Sequence, residues 1–203
     1  MDKKIIVAGY VGLEGSLKIV KENTEELESH FSKYFMKQVE ECEKYLVSSK
    51  VFEEMRLKRS DLLNKMEPMK NKVLEDVEAS QIKKAREVDG RENVIVPLGE
   101  TGDYTSLWSA LWHLCQIWKI GVEVEFSQIP IRQETIEICQ FFGQNPYQIS
   151  SKGTYLIFTS QVEEVIEELG LKEITANVIG RTTHKKERLI KRGDYIRHLP
   201  RVT

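Results

Sequence analysis

The stretch Leu107–Glu125, LWSALWHLCQIWKIGVEVE, holds two periodicities end to end. Leu107, Trp108, Leu111, Trp112, Cys115 and Trp118 recur at helical spacing, which places them on one broad helix face. From Gly121 the period shortens. Val122, Val124 and Phe126 alternate with Glu123 and Glu125, the pattern of a strand with one face buried and one polar. A helix feeding a half-buried strand predicts an α/β protein. The tryptophan face reads as core or interface, because a nucleic-acid stacking platform needs flanking cations and only Lys119 is near.

The same reading extends outward. Residues 4–8, KIIVA, form a short apolar run followed by a turn with Gly9, Gly12 and Gly15 three apart, and then by a helical pattern through Leu17 and Val20. Strand, glycine turn and helix together can receive a phosphate on backbone N–H groups. Tight packing of the turn explains the glycines equally well. The spacing is not that of a dinucleotide fingerprint, and no GKS or GKT follows. Val94–Leu98 reads as a strand, and GETGDYTS follows as a turn with Thr105 or Ser106 as N-cap. Downstream, a helix through Ile136, Cys139 and Phe142 stops at Gly143, and Tyr155–Phe158 is a strand. Val162–Leu169 is a short helix, Thr175–Ile179 a strand, and the segment from Arg188 a last hairpin. The expectation is five or six strands in a mixed sheet with helices between them.

Residues 24–92 differ in composition. They are rich in Glu and Lys, with apolar residues at helical intervals: Leu27, Phe31, Tyr34 and Phe35 form one stripe, and Met69, Val73 and Val77 another beyond Pro68. Such a segment either extends to pair with another subunit or forms ordinary surface helices.

Charge and cysteine usage exclude several classes. With 30 basic and 32 acidic side chains the net charge is -2, which gives no long-range attraction to nucleic acid or anionic membrane. The patch from His184 to Arg188 is either a phosphate contact or a solvated hairpin tip. No run approaches the roughly 18–20 apolar residues of a membrane helix. Gly9 and Gly12 break the only apolar run near the start, so no signal peptide is read and the expected location is cytoplasmic. Cys42, Cys115 and Cys139 contain no CxxC pair and read as small buried hydrophobes. No residue is assigned a catalytic or metal-binding role.

VAGYVGLEGS, SALWHLCQIWKIGVEVEFSQIPI, ETIEICQFFGQNPYQISSKGTYLIF, ANVIGRT and YIRHLPR, in that order, resemble the C-terminal domain of the aminoimidazole-ribonucleotide synthase (PurM-like) superfamily. That group includes hydrogenase maturation (HypE-like) proteins, selenophosphate synthetase and thiamine-monophosphate kinase. The resemblance implies one three-layer α/β/α domain over residues 1–203, with a mixed sheet, partial ferredoxin-like topology and a charged helical insertion at about 35–90. It implies ATP binding across a dimer of two-domain subunits in relatives. Here it begins at residue 4, so the N-terminal ATP-binding domain is expected to be absent.

Two departures bear on activity. The family's Asp-x-Thr-x-Gly-Gly turn aligns with Thr101–Ser106, where Thr101 takes the aspartate position, Asp103 the threonine position and Thr105-Ser106 the glycine pair. The hydrogenase maturation relative carries a reactive cysteine after its Pro-Arg, whereas Pro200-Arg201 is followed by Val202-Thr203. The expectation is therefore a non-catalytic binding or assembly protein, a homodimer or the companion of a partner protein, with no cofactor of its own. The alternative is an enzyme subunit that binds a nucleotide or small phosphorylated ligand, uses ATP and magnesium, and needs a partner ATP-binding domain. Its anion site would comprise Gly9, Gly12, Gly15, Gly99, Thr101, Gly102 and Asp103.

Overall fold

The computed structural model describes residues 3–54, 93–99 and 104–201. In chain order these form β1 (Lys4–Ala8), α1 (Leu13–Glu22), α2 (Thr24–His30), α3 (Lys33–Glu41), a 3₁₀ turn (Cys42–Tyr45) and α4 (Ser49–Glu54). Then follow β2 (Val94–Pro97), α5 (Leu107–Trp118), β3 (Gly121–Glu125), a 3₁₀ turn (Phe126–Gln128), α6 (Gln133–Phe141) and β4 (Tyr155–Thr159). The chain closes with α7 (Val162–Leu171), β5 (Ala176–Thr183), β6 (Arg188–Arg192) and β7 (Tyr195–His198).

The seven strands form one sheet in the order β2-β4-β1-β5-β3-β6-β7. Only β3 and β6 run parallel, so the sheet is mixed. Alternation along the strands sends two apolar sets to opposite faces. Ile5, Val7, Val122, Val124, Leu156 and Phe158 pack with Trp108, Leu111 and Cys115 of α5. Ile6, Ala8, Ile95 and Ile157 pack with Val165 and Leu169 of α7. Helix, sheet and helix make three layers, the α/β/α architecture with a mixed sheet and partial ferredoxin-like topology. A third apolar cluster joins α1, α2, α3 and α6 through Leu13, Leu17, Leu27, Val39 and Ile138. Full burial of a leucine or isoleucine stabilises by about 1.5–3 kcal/mol, so these clusters hold the layers together.

Local chemistry sets the element ends. Ser106 caps α5, accepting from the Ser109 N–H, while the Ser109 hydroxyl accepts from the Ser106 N–H. Lys119 ends α5 in the left-handed conformation at φ 54°. The Trp108 side chain is buried, Trp118 meets Phe158 edge-on at 4.8 Å, and Trp112 lies under the Arg188 guanidinium at 4.1 Å.

The expected stripe from Leu27 to Phe35 is divided. Ser32 caps α3 by accepting from the Phe35 N–H, so α2 and α3 are separate helices and Tyr34 is exposed. Phe126 leaves the strand for the 3₁₀ turn while still packing on the α5 core. The segment at His184–Glu187 is not a hairpin tip. β5 and β6 both pair with β3, and the segment between them crosses its start, where the Val122 N–H donates to Glu187 O at 2.9 Å. Residues 55–90 of the expected helical insertion lie outside the described residues. Among the described residues no helix is long and apolar enough to cross a membrane.

Candidate functional site

The turn after β1 and the end of β2 converge on one loop, residues 145–154. A side chain on Gly9 would sit 2.8 Å from Gly153 O, one on Gly15 2.8 Å from Ser150 O, and one on Gly99 2.5 Å from Lys152 N. One on Gly12 would overlap Pro146 O. Gly9, Gly12 and Gly99 also have positive φ values of 94°, 72° and 79°. These glycines thus permit both the turn geometry and the close approach of the loop.

Their amides point into the protein. The Gly9 N–H donates to Thr175 O at 2.8 Å, the Gly15 N–H to Ser150 O at 2.9 Å, and the Gly99 N–H to Tyr104 O at 2.8 Å. The Gly12 N–H donates to Ser151 Oγ at 2.9 Å. Thr101, Gly102 and Asp103 lie outside the described residues.

Beside this junction is a cleft of about 270 Å³ whose polar lining includes Glu14, Ser48, Ser49, Lys152 and Tyr155. The Glu14 carboxylate accepts from the Ser150 hydroxyl at 2.5 Å, which anchors α1 to the loop. Lys152 supplies a cation, and Ser48 and Ser49 supply hydroxyls. Lys152 and the two serines are absent from the sequence-derived site. Nothing in their spacing signals them, since Lys152 reaches the glycine turns only through the fold.

Two further polar groups emerge from the fold. Arg132 donates to both carboxylate oxygens of Glu134, at 3.1 and 2.9 Å, and its guanidinium lies over the rings of Tyr10 and Tyr45. Burial opposes ionisation of Glu134, but the Arg132 hydrogen bonds and charge, with a backbone hydrogen bond, outweigh it and hold the pKa below the usual carboxylate range. On the sheet, Glu123 accepts from Lys191 at 2.9 Å and from Arg181 at 2.9 and 3.1 Å. The hydrogen bond from Lys191, then that from Arg181, lowers its pKa. These groups and Lys4 line a shallow hollow of about 220 Å³. In sequence, Glu123 reads only as a polar strand residue, because its cations lie on β5 and β6.

Cys42, Cys115 and Cys139 are buried and free. Burial pushes the Cys115 and Cys139 thiols up to about 11. Among the described residues no group of three His, Cys, Asp or Glu side chains is placed to hold a metal ion.

The layered sheet defines a fold class shared with solved chains of which this chain spans about half the length. The structures it resembles include those of hydrogenase maturation protein HypE. One, in complex with ATP, matches with a TM-score of 0.60 at 15% identity over 99% of this chain and 51% of that chain. The E. coli HypE structure matches at 0.57 and 14% identity, over 99% and 51%. A HypE–HypF complex matches at 0.57 and 13% identity, over 98% and 53%. At these identities the likeness is one of fold. No family model and no curated protein matches the chain.

Proposed function

We propose that this chain is a non-catalytic binding or assembly protein, derived from the C-terminal domain of a two-domain ATP-dependent enzyme of the aminoimidazole-ribonucleotide synthase superfamily. The observation that carries this reading is the closed glycine turn. A phosphate-binding turn acts by leaving N–H groups aimed at the ligand, and the Gly9, Gly12, Gly15 and Gly99 amides all donate within the chain. Ser106, at one position of the family's glycine pair, is occupied in capping α5. The test is thermal denaturation with ATP, ADP and AMP, each with and without magnesium. The expected result is an unchanged melting temperature, since a ligand that binds only the folded state raises it.

A second reading is favoured by the cleft at Lys152, Ser48 and Ser49. In it, the chain is the subunit of an ATP-dependent enzyme that takes a small phosphorylated ligand and relies on a partner ATP-binding domain. The anion would lie near Gly99 and Lys152. Stabilisation by a nucleotide that Lys152→Ala abolishes would replace the first reading with this one.

A further inference from the structure

Strand β7 is the last in the sheet order and pairs only with β6 among the described residues. All four of its residues are exposed. Tyr195 is 85% and Ile196 61% exposed, two adjacent large apolar residues on a strand edge that is unpaired among the described residues. Edge strands are commonly protected by proline, bulges or inward charges. The opposite edge, β2, carries Pro97, whereas β7 has neither a proline nor a register shift.

The hydrogen-bond parity of β7 follows from its hairpin. Arg192 pairs with Tyr195 across the two-residue Gly193-Asp194 turn, and the Leu199 N–H donates to Arg188 O at 2.8 Å. Backbone groups of the odd-numbered residues therefore face β6, and those of Ile196 and His198 face outward. An antiparallel partner must meet these outward groups with outward groups of its own.

A second copy of β7 does so in two registers about a two-fold axis. The register centred on Arg197 opposes two arginines at close range and is disfavoured. The register centred on Ile196 sets Ile196 against its own copy. Tyr195 then faces the partner copy's arginine on the same sheet face, and Asp194 faces the opposite histidine. Apolar contact and a tyrosine–guanidinium contact are thus matched at once.

We infer that β7 pairs antiparallel with β7 of a second copy of this chain, centred on Ile196, so that the two sheets become one continuous sheet. This rests on the assembly reading above and names its contact. With only one short strand per copy, the dimer is small and reversible.

Sedimentation equilibrium from micromolar to submillimolar protein tests it. The wild-type chain should dimerise reversibly. Ile196→Pro removes an outward N–H without taking a bond from β6, and should weaken dimerisation by at least ~10-fold while circular dichroism and the melting temperature stay unchanged. Ile196→Thr keeps the N–H and should weaken it less. If proline prevents folding, the double variant Tyr195→Cys and Arg197→Cys should form a covalent dimer on oxidation, because the two positions face each other across the axis. A wild-type monomer at every concentration overturns the inference. A dimer unaffected by Ile196→Pro, or a double variant that does not cross-link, also overturns the edge contact but leaves the assembly reading standing. The nucleotide melting experiment tests that reading separately.

Discussion

The Gly12 N–H donates to the Ser151 hydroxyl at 2.9 Å, across a sequence separation of 139 positions. That bond fastens the start of α1 to the loop before β4, and it occupies an amide that a phosphate-binding turn would present to its ligand.

Substitution at this junction should destabilise the fold. Gly12→Ala places a side chain at φ 72° and against the Pro146 carbonyl. The left-handed conformation alone costs roughly 1–2 kcal/mol, and the overlap adds to it. Ser151→Ala leaves the buried Gly12 amide unpaired, for about 1–3 kcal/mol. Urea denaturation of both variants measures these losses.

The β5 bulge should be equally intolerant. Ile5 pairs with Gly180 and Ile6 with Val178, so Ile179 is the extra residue, and its buried side chain enters the α5 core. A side chain at Gly180 would overlap the Glu123 carbonyl. Gly180→Ala should cost about 2 kcal/mol or more, read as a lower denaturation midpoint.

The Arg132–Glu134 pair predicts a pH dependence of defined sign. The folded-state pKa of Glu134 is lowered from its ordinary 4.5. Its contribution to stability is therefore present above about pH 4.5 and lost as the pH falls through the folded value. Glu134→Gln should be less stable at pH 7 by about 1–3 kcal/mol, because Arg132 keeps its charge and loses its partner. The gap from wild type should narrow on acidification, which urea midpoints across the acid range would show.

The cysteines should be inert in the folded chain. Burial raises the Cys115 and Cys139 thiols to about 11, and burial followed by the Glu134 charge raises Cys42. At neutral pH the reactive thiolate is scarce and enclosed. Iodoacetamide should leave the native mass unchanged and add three labels after denaturation.

Much of the scaffold was legible from neighbouring residues. The Leu107–Trp118 stripe and the Val122/Glu123/Val124/Glu125 alternation identify α5 and β3, because helix and strand periods are local properties. An N-cap at Thr105 or Ser106 was legible for the same reason, and the structure uses Ser106. The division at Ser32 was less visible, since Leu27 to Phe35 keeps helical spacing through the break. The chain at His184–Glu187 resembled a hairpin tip because nothing local records that β3 lies between β5 and β6.

The site divides in the same way. Gly9, Gly12, Gly15 and Gly99 could be picked out by residue type and turn context, but their use could not. The sequence alone determines that these positions lack side chains and follow predicted strands. Only the tertiary structure decides that loop 145–154 fills the space, takes the Gly12 and Gly15 amides and brings Lys152 to their flank. The physical reason is range: a glycine's freedom resides in its own backbone, whereas the partners of the Gly9, Gly12 and Gly15 N–H groups lie more than a hundred residues further along the chain.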